Sequence, residues 1–362
     1  MKIGILTFQN TLNYGAMLQA YALQKVLYEM GNEVEILNYR NPTITYRETP
    51  KIPPAKEFIE HPRGSLRFLR TYNASKKRAE EFENFTKRHL CLSGYITNQE
   101  DVVGKYDVIV VGSDQVWNLA CTGNDFFYFL ENLDRSKIKT ISYAASFGSD
   151  TFPSNYFERC ASAIKKFYAV SVREISGLAL VKSMTGCKAS LTLDPTLLLK
   201  KNDWEQITAP SFDSAPFVFA YVVSERKETV KFAKEVARKQ RANLIITDCY
   251  NGATLLDKQL YYNSLSPEEF LSLLSNAAYV VTSSFHGLAL SLAMEKEVYY
   301  SLNTKAANRN SRLETLATLA GIKDRTIDEG FADNPINYEL VTARLLAERN
   351  SSLQFLKDSL YN

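Results

Sequence analysis

Residues 278–294, AYVVTSSFHGLALSLAM, change from a short apolar run to a polar turn and then to a longer apolar run. The first run, residues 278–281, is rich in β-branched side chains and predicts a buried parallel strand. The second run, residues 285–294, is too long for such a strand and predicts a helix, for which Ser283 or Ser284 is a suitable N-cap. This order of elements favours a fold built on parallel strands joined through helices.

The same alternation recurs along the chain in two successive sets, and 362 residues are long for a single core. We therefore predict an α/β protein with two Rossmann-like, doubly wound domains facing each other across a cleft. The first spans residues 1–200, with a helical excursion at 42–105, and the second spans 201–345. A final helix, 346–362, is expected to pack back on the first domain. The predicted strands are residues 2–8, 33–39, 106–111, 138–146, 167–172, 217–223, 243–248, 278–281 and 298–302.

The turn before the predicted helix at 285–294 is a candidate anion-binding site. Free backbone N–H groups and the positive end of the helix dipole face outward there, at the carboxyl end of a parallel strand. His286 lies in the first turn of this helix, and Gly287 allows close backbone approach. The alternative is a structural histidine, packed at a helix start and hydrogen-bonded to a carbonyl group.

Other predicted strands also end in polar residues. Asn13, Tyr14 and Gly15 follow the first strand, and Asp114 follows the strand at 106–111. The first loop lacks the GxGxxG pattern of a dinucleotide site; it suits a sugar or phosphate, or simply a capped turn. A cationic segment with Lys305, Arg309 and Arg312 follows the last predicted strand.

Composition argues against several classes of protein. A net charge of +3 is too small to indicate nucleic-acid binding. Five widely spaced cysteines and three histidines favour neither a disulfide framework nor a metal centre. Without a signal sequence or a long apolar segment, a cytoplasmic protein is expected. The basic residues within 63–89 predict a solvated helix face, with docking to anionic lipid at the inner membrane face or to a pyrophosphate-linked acceptor as the alternative.

Six strings, in order, resemble the polysaccharide pyruvyl transferase family. They are LNYGAMLQAYAL (12–23), VVGSDQVWN (110–118), SYAASFG (142–148), SVRE (171–174), LDPTLLL (193–199) and TSSFHGLALSLAM (282–294). The resemblance implies a fold similar to the GT-B glycosyltransferases. It also implies transfer of pyruvate from phosphoenolpyruvate onto a sugar as a ketal, on an exopolysaccharide or capsule glycan or its lipid-linked precursor. No nucleotide cofactor and no metal are expected.

The resemblance also suggests roles for particular residues. Arg173 matches the family's arginine after the mid-chain strand and is the candidate for binding the donor's phosphate or carboxylate; an ion pair with a carboxylate is the alternative. His286 matches the family's histidine and is the candidate general acid. Asn13 and Asp114 would face the cleft, and either Asp114 or Asp194 could serve as the base.

One position departs from the family pattern. Many members have Arg-Leu before this histidine, where the arginine helps to hold phosphoenolpyruvate, whereas this chain has Ser284-Phe285. The missing charge would come from Lys305, Arg309 or Arg312, or the donor differs. Two alternatives to pyruvyl transfer stay open: a glycosyltransferase using a nucleotide sugar, and a glycan-binding member of the family without catalytic activity. The Ser284-Phe285 departure supports the second of these alternatives.

Overall fold

The computed structural model describes residues 1–50, 52, 62–211, 215–248 and 262–362, without the side chains of 62–71 and 248. Within these ranges the first sheet has seven strands, all parallel to their neighbours, in the order β3-β2-β1-β4-β5-β6-β7. The first six follow the strand order of the Rossmann fold. The strands are β1 (Lys2–Leu6), β2 (Glu33–Tyr39), β3 (Leu92–Ile96), β4 (Val108–Val111), β5 (Lys139–Ala145), β6 (Ala169–Val172) and β7 (Ser190–Leu191).

The second sheet, over the same described ranges, has four parallel strands in the order β11-β10-β8-β9. Two parallel sheets of this kind, with helices between their strands, confirm the α/β, Rossmann-like class predicted from the sequence. The strands are β8 (Phe217–Val222), β9 (Asn243–Asp248), β10 (Tyr279–Thr282) and β11 (Val298–Tyr300).

Helices connect the strands and cover the sheets. Parallel strands are buried on both faces, and β4 (VIVV) and β8 (FVFAYV) are accordingly apolar and fully buried along their lengths. The helices are α1 (Tyr14–Glu29), α2 (Pro42–Glu48), α3 (Pro62–His89), α4 (Leu119–Thr122), α5 (Phe157–Ile164), α6 (Ile175–Thr185), α7 (Lys201–Glu205), α8 (Arg226–Gln240), α9 (Pro267–Asn276), α10 (Phe285–Ala293), α11 (Ser311–Ala320) and α12 (Tyr338–Tyr361).

Each sheet reverses its strand order at one point. In the first sheet the reversal lies between β1 and β4, and in the second it lies between β8 and β10. Loops leaving adjacent strands there diverge to opposite faces, which opens a crevice at the carboxyl ends of the strands. The segments after β1, β4 and β10 are the ones in which the sequence predicts site residues.

The two sheets share an apolar layer. Tyr14, at the start of α1, stacks on Phe270 of α9 with ring centroids 4.4 Å apart, and its hydroxyl donates to the carbonyl oxygen of Leu265 at 3.0 Å. The final helix α12 also crosses to the first sheet. Ser352 accepts from the backbone N–H of Leu193 at 2.9 Å, and the Tyr361 hydroxyl accepts from Asn32 at 2.8 Å. These contacts hold the two halves of the chain together.

The predicted excursion at 42–105 differs in part from the structure. It contains α2 and α3, but also the edge strand β3, whose sequence LSGYI lacks the continuous apolar run of the central strands. On α3, Lys76 and Lys87 form i,i+4 ion pairs with glutamates, and Arg88 pairs with Glu268 of α9 at 2.6 Å. The side chains of Arg63, Arg67 and Arg70 lie outside the described part. No helix within the described ranges has the length and apolar character needed to cross a bilayer.

Candidate functional site

A buried polar cluster lies where the carboxyl ends of both sheets meet. Its members are Asp114 after β4, Arg173 after β6, Asp194 after β7 and His286 in the first turn of α10. They are 6%, 3%, 1% and 6% exposed. Three of these residues were predicted as catalytic from the sequence, and Asp194 was considered as a base. The structure brings all four together.

Arg173 occupies the centre of this cluster. Its Nη1 donates to Oδ2 of Asp194 at 2.7 Å, and its Nη2 donates to Oδ1 of Asp114 at 2.9 Å. Its guanidinium also lies over the ring of Phe285, 4.4 Å from the centroid. Burial alone would lower the pKa of Arg173, but Asp114, Asp194 and Glu174 raise it above its ordinary value. The guanidinium is therefore a fixed positive charge.

His286 reaches the cluster from the second sheet. The strand-to-helix turn that carries it is held by Ser284, which is the N-cap of α10 and accepts from the backbone N–H of Gly287 at 3.3 Å. The Nε2 atom of His286 lies 3.3 Å from Nη1 of Arg173 and 3.5 Å from Oδ2 of Asp194. Arginine can only donate and a carboxylate can only accept, so Nε2 can serve as acceptor or donor without moving. That is a suitable position for proton transfer.

Gly15 supports the other edge of the imidazole. A Cβ atom on Gly15 would lie 2.3 Å from Cγ and Nδ1 of His286, so no larger residue fits while the ring stays in place. Gly15 belongs to the first turn of α1, whose N-cap is Asn13. The first sheet thereby fixes the position of a histidine that the second sheet carries. The sequence predicted Asn13 and Gly15 as binding residues; their observed contacts are with α1 itself and with His286.

Replacing Gly15 with alanine is expected to lower the free energy of unfolding by about 1–3 kcal/mol, because the added methyl group must displace the His286 ring. A helical position would otherwise favour alanine over glycine. Gly94 is a matched control, since a Cβ there meets no atom within 4 Å. Urea denaturation of both variants measures the difference. Equal stability of the Gly15 and Gly94 variants would show that the histidine ring is not confined.

The two aspartates differ in how fully they are hydrogen-bonded. Asp194 accepts from Arg173, from the Ser113 hydroxyl at 2.9 Å, and from the backbone N–H and hydroxyl of Thr196 at 3.0 and 2.8 Å. Burial opposes its ionisation, but His286 and Arg173 outweigh this and hold the pKa of Asp194 well below its usual range. Asp194 is therefore a permanent carboxylate that positions its neighbours.

Asp114 retains free acceptor capacity. Within the described part of the chain, the only hydrogen bond to its carboxylate is the one from Arg173 to Oδ1. Its backbone is held in the left-handed region at φ 71°, which is costly for a residue other than glycine. The backbone N–H of Ser146 fixes this conformation by donating to the Asp114 carbonyl oxygen at 2.9 Å. Among the described residues of the cluster, Oδ2 of Asp114 is thus the carboxylate oxygen that remains able to accept a further hydrogen bond.

The remaining predicted binding residues lie around the cluster. Ser283 accepts from the backbone N–H groups of Val223 and Ser224, both at 3.0 Å, and joins β10 to the loop after β8. Gly287 lies against Thr282, whose hydroxyl oxygen would be 2.3 Å from an added Cβ. The buried side chain of Tyr14 belongs to the apolar layer between the sheets.

The three cations after β11 differ in burial. Lys305 and Arg309 are exposed, whereas Arg312 is partly buried at the start of α11. Burial lowers the pKa of Arg312, and the like charge of Arg173 lowers it further, while Glu174 and Asp114 oppose the shift. Its Nε is buried and has no hydrogen-bond partner within the described part of the chain. Arg312 is therefore within electrostatic range of the cluster.

Glu174 and Ser113 were not predicted as site residues. Glu174 is fully buried, accepts from the backbone N–H of Phe147 at 3.0 Å, and has Oε2 3.9 Å from Nε of Arg173. Burial raises its pKa, although Arg173 and Arg312 act in the opposite direction. Both residues lie just after predicted strands, and that position is the signal that could have identified them.

Solved structures similar to this one share little sequence with it. They include MnaA from S. aureus in complex with UDP (10% identity, 98% of this chain and 90% of that chain, TM-score 0.45). The spinosyn rhamnosyltransferase SpnG is 11% identical (99% and 95%, TM-score 0.41). The UDP-GlcNAc 2-epimerase of Methanocaldococcus jannaschii is 13% identical (100% and 100%, TM-score 0.42).

The sequence comparisons identify the family. No curated protein matches the chain. A family model described as polysaccharide pyruvyl transferase matches residues 13–303, which is most of the chain and includes Asp114, Arg173, Asp194 and His286. The chain belongs to the polysaccharide pyruvyl transferase family.

Proposed function

We propose that the protein transfers the pyruvyl group of phosphoenolpyruvate to two hydroxyl groups of one sugar, forming a cyclic ketal. The acceptor would be an exopolysaccharide or capsule glycan, or its lipid-linked precursor at the inner face of the membrane. The observation that carries the proposal is the contact of Nε2 of His286 with both Arg173 and Asp194, beside the open oxygen of Asp114. This arrangement would supply a proton donor, a fixed cation and a base within one buried cluster.

The reaction requires each of these groups. Protonation of C3 of the enol makes a methyl group and a cation at C2, which one sugar hydroxyl attacks. The bond from C2 to the phosphate oxygen then breaks, and the second hydroxyl closes the ketal. The proton from one sugar hydroxyl makes up for the proton that the enzyme gave to C3. The proton from the other hydroxyl leaves with the phosphate. Because charge changes at C2 and at the phosphate, fixed charges around them would stabilise the transition state.

In this proposal His286 is the general acid and Asp114 is the base. Asp194 is already fully hydrogen-bonded, so it acts as a positioning residue that orients Arg173 and His286. Arg173 lies between two carboxylates. It contributes positive charge at the place where the donor's carboxylate or phosphate would bind. Asn13, Gly15, Ser283, Ser284 and Gly287 form the backbone frame around the ligand.

Arg312 is our candidate for the cation that the family's usual arginine would provide. The family position is taken by Ser284, which caps α10 and carries no charge. The next position, Phe285, packs its ring against Arg173. Arg312 approaches the same cluster from α11, whose start is fixed to α6 because Ser311 accepts from the backbone N–H of Ser176 at 3.3 Å. Lys305 and Arg309 are exposed and would contribute less.

The test is phosphate release from phosphoenolpyruvate with a panel of 4-nitrophenyl glycosides and lipid-linked sugars. Release should depend on an acceptor, and Arg312→Gln should lower kcat/KM roughly 10- to 100-fold, the effect of losing one charged hydrogen bond. Lys305→Gln is the matched control and should change it little. If Lys305→Gln reduces the rate and Arg312→Gln does not, the assignment of Arg312 is wrong.

Thermal-shift measurements separate this function from its alternatives. Phosphoenolpyruvate should raise the midpoint of unfolding, because it binds only the folded protein. Stabilisation by UDP or GDP sugars alone would instead support a glycosyltransferase. Stabilisation by glycans without phosphate release would support a glycan-binding member of the family.

A further inference from the structure

A second charged site lies at the opposite edge of the first sheet. A cavity of about 710 Å³ opens where β4, β5 and β6 begin. Lys139 starts β5 at this cavity, and Ala145 ends the same strand beside Asp114. Because β5 is seven residues long, its two ends, and therefore the two sites, lie about 20 Å apart. The cavity is therefore separate from the polar cluster, and ligand binding there is independent of the proposed function.

Positive charge dominates the lining of this cavity. Its cationic residues are Lys105, Arg135, Lys137, Lys139 and Lys166, and Asp107 is its carboxylate. Asp107 is already engaged, since Oδ2 accepts from the backbone N–H of Lys2 at 2.7 Å.

Few of these cations have an acidic partner. Lys137 pairs with Asp134 at 3.3 Å, but neither Lys105 nor Lys166 has an ion-pair partner within 4 Å in the part of the chain that the structure describes. Both side chains are exposed at the rim. Like charges held around one concave surface repel each other, and a bound anion would relieve this repulsion.

Arg135 adds an uncompensated charge to the wall. Its Nε and Nη1 are buried and have no hydrogen-bond partner among the described residues, and its Nη2 donates to the carbonyl oxygens of Phe129 and Leu130. No carboxylate lies within 4 Å of it among the described residues, and its guanidinium stacks 4.2 Å from the ring centroid of Phe167. Burial lowers its pKa to about 10. Charged groups with little access to water are normally paired with an opposite charge, so partly buried Arg135 favours an anionic ligand at this surface.

Tyr168 and Lys139 complete the lining. Tyr168 is 57% exposed and lies beside Lys139, whose Nζ is 4.4 Å from the ring centroid. Nζ of Lys139 also donates to the carbonyl oxygens of Ser359 and Leu360, at the end of α12. The rim therefore offers an aromatic face beside the basic wall.

The geometry points to a binding site for a diphosphate group in this cavity, with Lys105, Lys137 and Lys166 contacting the phosphate oxygens and Arg135 providing a fixed positive charge behind them. Several lysines on one concave surface suit an anion with more than one phosphate group. The diphosphate could belong to a soluble molecule or to a membrane lipid, because the chemistry recognised is the same.

Isothermal titration of the 362-residue protein with inorganic pyrophosphate tests the site. We expect saturable binding that weakens as salt is added, and at least a tenfold loss of affinity in Lys105→Ser/Lys166→Ser. The matched control is Lys231→Ser/Lys234→Ser, which removes the same charge from exposed positions on α8 and should bind like the natural protein. Arg135→Met provides a second variant and should also weaken binding.

Two results would overturn the site: absence of saturable binding, or equal affinity in Lys105→Ser/Lys166→Ser and the natural protein. The second would place pyrophosphate binding outside this cavity. Flotation with phosphatidylcholine vesicles that contain a polyprenyl diphosphate identifies the source of the ligand. Flotation that requires Lys105 and Lys166 and is competed by pyrophosphate supports a lipid phosphate, and pyrophosphate binding without flotation supports a soluble one.

Discussion

Replacing Arg173 with methionine is expected to lower the free energy of unfolding by about 3–5 kcal/mol, because two buried carboxylates then lose their partner. Asp114 and Asp194 each accept one hydrogen bond from Arg173, at 2.9 and 2.7 Å. Methionine fills much of the same volume but supplies neither charge nor donors. Urea denaturation followed by the fluorescence of Trp117 and Trp204, both fully buried, measures the loss.

Two further variants show whether unpaired charge is the cause. Arg238→Met changes an exposed arginine on α8 and should alter stability by less than about 0.5 kcal/mol. Adding Asp114→Asn to Arg173→Met should recover part of the loss, since one unpaired charge is then removed. If Arg173→Met is as stable as Arg238→Met, the ion pairs do not hold the cluster together.

Replacing His286 with glutamine is expected to reduce acceptor-dependent phosphate release about 10²- to 10⁴-fold, the usual contribution of a general acid. Glutamine keeps a polar side chain near Arg173 and Asp194, so the fold should persist, but it cannot deliver a proton to C3 of the enol. Stabilisation by phosphoenolpyruvate in a thermal-shift assay should remain. The variant would then separate binding from chemistry.

His89 provides the matched control for this experiment. Its Nε2 lies 3.1 Å from Oε1 of Glu268, at the contact between α3 and α9, away from the polar cluster. His89→Gln should retain the rate of the natural protein. A rate for His286→Gln within tenfold of that value would favour the structural role that the sequence left open for His286.

The sequence alone was sufficient to predict most of the sheets. Central strands such as β4 and β8 are continuous apolar runs bounded by turn residues, and the residues that follow strands are polar. The edge strand β3 was missed because an edge strand is only partly buried and its sequence, LSGYI, shows no such run. A local run of apolar residues indicates that a segment is buried. Such runs therefore identify strands that are buried on both faces, and they miss strands that are only partly buried.

Only the tertiary structure distinguishes between neighbouring residues at the turn. Ser283 and Ser284 are both suitable N-caps, but the backbone places Ser284 at the cap and turns Ser283 toward the loop after β8. Tyr14 was predicted to bind a ligand because it follows a strand, yet its ring faces Phe270 of the other half. A chain position next to a strand end does not determine the direction in which a side chain points.

The members of the polar cluster could be recognised from the sequence, but the contacts that join them are decided by the tertiary structure. The residues that follow β4, β6 and β10 were recognisable because parallel strands present their carboxyl ends on one edge, and Asp194 follows β7 at the same edge. The contact between Arg173 and His286 joins residues 113 positions apart, and Gly15 confines the ring from a third segment. Such contacts depend on how two separately patterned sheets dock, and local sequence pattern carries no information about that docking.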